Sequence, residues 1–121
     1  MQLSDKELSD DRLANLLVGA FEGGSNYWID YTDVKAGPTV GKAWGKRQPF
    51  YGAPFSGGAI IIQPLDWDGE VTLDRTAMLR GLEVMANKYP HHFADAMTEH
   101  DDATTADVFL QCCLFGTLVY S

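Results

Sequence analysis

The chain has 121 residues, 45% of them hydrophobic, and carries three Trp, five Tyr and six Phe. That is enough for one domain with a core of its own, and it excludes a chain too polar to fold. The formal charge of −8 argues against direct binding of nucleic acid, because contacts to phosphate need a positive surface.

No run of about 18 apolar residues is present, and the first residues, MQLSDKELSDD, are acidic and polar. Neither a membrane span nor a secretory leader is expected. Cys112 and Cys113 are adjacent; a disulfide between neighbours is strained, so two thiols in a reducing compartment are expected. The predicted location is cytoplasmic.

The first predicted element is an amphipathic helix over Ser4–Glu22. Ser4 with Glu7 fits a capping box, Ser9 offers a second start, and Leu13, Leu16, Leu17, Ala20 and Phe21 form one apolar face. Gly23-Gly24 ends it. Ser25–Thr32 then alternates as a strand, with Tyr27, Ile29 and Tyr31 on one face and Trp28, Asp30 and Thr32 on the other. Residues 36–58 are rich in Gly and Pro and read as a long loop holding Trp44, Phe50, Tyr51 and Phe55.

Ala59–Ile62 is apolar on both faces, as in a central strand. It leads through the turn dipeptide Asp68-Gly69 into Glu70–Leu73, which predicts an antiparallel hairpin. Asp74 caps a helix from Arg75 to about Tyr89, Pro90 stops it, and a short helix follows around His91–Thr98. The last helix, Thr105 to Phe115, is apolar nearly all round and should be buried at the centre, capped by Thr104 or Thr105 and ended by Gly116. Asp107 complements its positive end. Thr117–Tyr120 reads as a closing strand. The expected fold is one α+β domain over residues 1–121, with a small antiparallel sheet packed against three to four helices and the helix at about 105–115 in the middle.

The motifs that would name a reaction fail on inspection. Gly37-Pro38-Thr39-Val40-Gly41-Lys42-Ala43 is one residue short of a phosphate loop and lacks its Ser or Thr. His91, His92 and His100 near Asp95, Asp101 and Asp102 match no metal-ligand spacing. The two cysteines, midway along an apolar helix, read as small hydrophobes rather than nucleophiles. Neither a metal nor a cofactor is expected, and a binding protein is expected over an enzyme.

Glu22-Gly23-Gly24-Ser25-Asn26-Tyr27-Trp28 is the densest mix of useful groups. An acid, a hydroxyl, an amide and two rings beside a helix end suit a small planar polar ligand. Together with Ala106–Gly116 and the ending Val119-Tyr120, this segment resembles a family of small bacteriophage and prophage proteins. That family carries an EGGSNYW-like segment near the start and a helix of the type AD-x-x-x-Q-x-x-x-FG, followed by VY. The resemblance covers both ends of the chain and the Leu73–Leu82 helix, but not residues 33–58. It implies a phage origin and a role inside the infected bacterium, and it brings no catalytic residue with it. Gln111, the one polar residue in its apolar stretch, needs buried partners, and a bond to the Ser25–Asn26 turn would join the two motifs.

The leading expectation is a phage-encoded, counter-defence binding protein that sequesters a small nucleotide-like ligand. Glu22, Ser25, Asn26, Tyr27 and Trp28 would form the site, with Lys42, Trp44, Lys46 and Arg47 meeting phosphates. A homo-oligomer with pockets at subunit boundaries would suit such a binder. The alternative is an acidic inhibitor of anti-CRISPR type, whose face from Asp95 through Glu99, Asp101 and Asp102 to Asp107 would meet a basic host protein.

Overall fold

The computed structural model describes residues 10–35, 54, 58–98 and 102–120. Among them the elements run α1 (Asp10–Gly19), a widened helical turn (Ala20–Gly24), β1 (Ile29–Lys35), β2 (Ala59–Pro64), β3 (Val71–Leu73), α2 (Arg75–Lys88), α3 (Pro90–Met97) and α4 (Ala103–Phe115). The expected α+β class holds: a three-stranded antiparallel sheet, in the order β1-β2-β3, packs with the four helices. The expected capping box at Ser4 and the loop residues of 36–53 lie outside the described residues.

α4 is the axis of the fold. Every residue from Thr105 to Cys113 is buried, and the helix touches α1, α2, α3, β3 and the turn after α1. This follows from its composition, since a helix apolar on all sides can satisfy itself only by being surrounded. Its cap differs from the expected threonines. Asp102 accepts a hydrogen bond from the Thr105 backbone N–H at 2.9 Å, so the helix begins two residues earlier, at Ala103. A carboxylate holds the first-turn donors more strongly than a hydroxyl can. The far end stops at Gly116, as expected.

α2 starts at the expected Asp74, whose side chain accepts from Ala77 N–H at 2.8 Å. Its Ala77, Met78, Gly81, Leu82 and Met85 are buried. The helix crosses α4 closely enough that a Cβ on Gly81 would overlap the Cys113 side chain and backbone. Arg12 of α1 donates to the Ala96 carbonyl in the last turn of α3, which ties these helices at an end that lacks internal partners.

The sheet departs from expectation at its first strand. β1 runs Ile29–Lys35 rather than Ser25–Thr32, and a register irregularity lies between Ile29 and Tyr31. Ser25–Trp28 forms a turn that brings the Ser25 and Trp28 side chains into the interior against Asp107 of α4. β2 is central, as expected, with Ile60 and Ile62 fully buried. It pairs with β3 from Ile62↔Val71 to Ile60↔Leu73, so the hairpin is present but its connection is longer than a two-residue turn at Asp68-Gly69. Thr117–Tyr120 is not a strand. Its backbone is held by side chains instead: Leu118 N–H donates to Tyr89 Oη at 3.0 Å, and Val119 N–H donates to Gln111 Oε1 at 2.8 Å.

The close crossing makes a prediction. Gly81→Ala should destabilise the protein by about 1–3 kcal/mol, the usual cost of overpacking, although alanine is the better helix former. Gly23→Ala, where a Cβ meets nothing within 4 Å, is the control and should leave the urea midpoint nearly unchanged.

Candidate functional site

The polar centre of the molecule is Asp107, on the second turn of α4 and only 8% exposed. Its Oδ1 accepts from Ser25 Oγ at 2.8 Å and from Trp28 Nε1 at 2.7 Å. Its Oδ2 accepts from the Tyr27 hydroxyl at 2.7 Å. Gln111, one turn further along the same helix face, gives its Nε2 to both oxygens at 3.2 Å. A carboxylate has about four acceptor positions, and four side chains fill them here. Every buried side-chain polar atom among the described residues has a partner, as a polar group in a core must.

Gln111 passes the connection on. Its Oε1 accepts from Val119 and Tyr120 N–H at 2.8 and 2.9 Å, and its Nε2 donates to Tyr120 O at 3.1 Å. Tyr120 thereby lies flat on Trp28, with ring centroids 5.1 Å apart and planes 3° apart, and its hydroxyl donates to Leu65 O at 3.0 Å. The Ser25–Trp28 turn and the Val119-Tyr120 segment therefore meet through two residues of α4. The expected bond from Gln111 to the Ser25–Asn26 turn is replaced by one to Tyr27 Oη at 3.4 Å, because Asp107 takes the Ser25 hydroxyl.

Beside this hub lies a groove of about 470 Å³, lined by Tyr27, His92, Thr104, Asp107, Leu118 and Tyr120 among others. Gly24 forms part of its floor and packs directly on the first turn of α4, where a Cβ would overlap the Ala103 carbonyl. His92 Nδ1 sits 3.0 Å from Thr105 Oγ1. The Tyr27 ring is half exposed at the rim. Burial, then the hydrogen bond and charge of Asp107, push its hydroxyl up to about 12. Tyr27 therefore stays a neutral phenol, with its proton directed at Asp107.

The sequence-predicted site residues separate into three groups. Tyr27 lines the groove. Ser25 and Trp28 are 0% and 1% exposed, so a Trp28 ring already stacked on Tyr120 and bonded to Asp107 is not available to stack on a ligand; both residues brace the site from behind. Glu22 and Asn26 are exposed on the turn and do not line this groove. Lys42, Trp44, Lys46 and Arg47 lie outside the described residues. Of the alternative acidic face, Glu99 and Asp101 also lie outside them. Asp95 is half-buried on α3, and Asp102 is exposed but serves as the α4 cap. Asp107, assigned to that face, belongs to the interior. Reading the acids from 95 to 107 as one surface misses it, yet an acid and an amide four residues apart in an apolar helix share a face, and that spacing is the signal that could have found the hub.

Other chemistry is restricted. Burial pushes the Cys112 thiol up to about 12 and the Cys113 thiol well above its usual value. No group of three or more His, Cys, Asp or Glu among the described residues could hold a metal ion. No helix among them is long and apolar enough to cross a membrane.

Fold and site together define a small α+β domain wound around a buried helix, with a carboxylate hub inside and a groove beside it. Compared with protein-family models, with curated proteins and with solved structures, the chain matches none.

Two measurements probe this arrangement. Asp107→Ala strands the buried donors of Ser25 and Trp28 and should cost about 3–5 kcal/mol in urea unfolding. Tyr27→Phe, at a half-exposed position, should cost about 1 kcal/mol or less. A thiol reagent at neutral pH should label Cys112 and Cys113 only after denaturant is added, since neither forms a thiolate in the fold.

Proposed function

We propose that this chain is a binding protein rather than an enzyme, and that it sequesters a small nucleotide-like ligand as a counter-defence step in a phage-infected bacterium. The observation that carries the reading is the groove itself. Its volume of about 470 Å³ falls in the range of small-molecule sites, roughly 300–1,000 Å³. Val108 and Leu118 give it apolar lining, and Tyr27, His92 and Asp107 give it polar groups. That pairing of a flat apolar surface with a few fixed polar groups suits a planar ring. The polar groups are held by buried partners, so little ordering remains to be done when a ligand enters. Neither thiol lines the groove. The phage setting comes from the family resemblance of the two motifs, and the subunit-boundary pockets expected of such binders belong to the same proposal.

The test is to fill the groove. Leu118 is 40% exposed and outside the core, so Leu118→Trp should fold normally while its indole occupies the ligand space. In native mass spectrometry with a panel of cyclic nucleotides and adenosine-ribose signals, the unaltered protein should capture a member of the panel. The variant should lose at least about tenfold in affinity, the equivalent of 1.4 kcal/mol. Equal capture by both proteins would place binding elsewhere and end this reading.

A further inference from the structure

The polar wall of the groove accepts hydrogen bonds and offers few. Asp107 is a carboxylate that receives bonds from four side chains, and the described residues that line the groove include no Lys or Arg. Among the described residues its negative charge is met by the dipoles of neutral donors. The Tyr27 hydroxyl spends its proton on Asp107 at 2.7 Å and accepts from Gln111 Nε2 at 3.4 Å, so what it can turn to a ligand is its remaining lone pair. The Tyr120 hydroxyl spends its proton on Leu65 O at 3.0 Å. Only His92 and Thr104 among the lining side chains carry a hydrogen that could turn toward an anion.

One feature opposes this polarity. The first turn of α4 forms part of the wall through Ala103 and Thr104, and a helix N-terminus carries about half a positive charge. Asp102 already sits on that end, its carboxylate held by Thr105 N–H and its acidity raised first by that bond. A full carboxylate in the wall, with a second on the helix end, outweighs half a charge. The rings of Tyr27 and Tyr120 add faces that attract positive charge.

We infer that the groove recognises a ring bearing an amine or other N–H donor and disfavours phosphate and carboxylate; this rests on the groove's being the ligand site. A ligand donor would meet the remaining lone pair of Tyr27 in the field of Asp107. For a nucleotide, the amino edge of the base enters and the phosphates stay outside.

Matched pairs test the inference by NMR titration of the labelled full chain. Tryptamine and indole-3-acetate share a ring and differ in charge; adenosine and purine riboside share a ring and differ only in the exocyclic amine. The readout is the backbone amides of Gly24, Tyr27, Thr104 and Leu118. The amine-bearing member of each pair should bind about tenfold tighter, the range of one charge-assisted hydrogen bond, and inorganic phosphate alone should leave these amides unshifted. If the anionic or amine-free member binds these residues as well or better, the donor inference is overturned while the groove stands. If no member of either pair shifts them, the groove reading falls, and the inference with it.

Discussion

The structure depends on one buried carboxylate. Asp107 sits in the helix that the rest of the molecule surrounds, where an unsolvated charge would cost several kcal/mol if left without partners. Its partners arrive from far away in the chain, since Ser25, Tyr27 and Trp28 lie 82, 80 and 79 residues from it. Closing so long a loop is entropically costly, and the return is a set of donors that fits no other placement. The need to deliver three side chains to one carboxylate turns Ser25–Trp28 away from the sheet and delays β1 to Ile29.

The same constraint organises the C-terminal segment. Gln111 spends its amide on Asp107 and on the backbone of Val119 and Tyr120, so the chain end is held by a side chain instead of a strand partner. Tyr120 then covers Trp28 and, with Leu118, forms one side of the groove. The hub and the groove are thus two faces of one arrangement. Its buried side fixes geometry, and its open side presents whatever the buried bonds leave over.

What they leave over bears on function. Internal bonds consume the protons of Ser25, Tyr27 and Trp28, and an acceptor-rich surface beside apolar contacts remains. Burial holds the two thiols in their protonated form, and Cys113 packs against Gly81 of α2.

The sequence by itself determined the elements whose cause is local. The all-round apolar pattern of Val108–Phe115 demands a buried helix, Asp74 and Pro90 bound α2, and the β-branched run at Ala59–Ile62 makes a central strand; each follows from periodicity, capping or composition within a few residues. The pairing of the EGGSNYW-like and AD-x-x-x-Q segments was visible as two motifs wanting partners, but not which atoms would meet. Only the tertiary structure decided that Asp107 is interior, that Ser25 and Trp28 face inward, that Asp102 caps α4, and that Thr117–Tyr120 is strapped rather than paired. The inward facing of Asp107, Ser25 and Trp28 is set by donors meeting an acceptor about 80 residues away, and no local pattern encodes which distant group will fill a lone pair; the Asp102 cap and the Gln111 strap are nearer in sequence, but which of several neighbouring polar groups takes each bond is settled by the packing of α4.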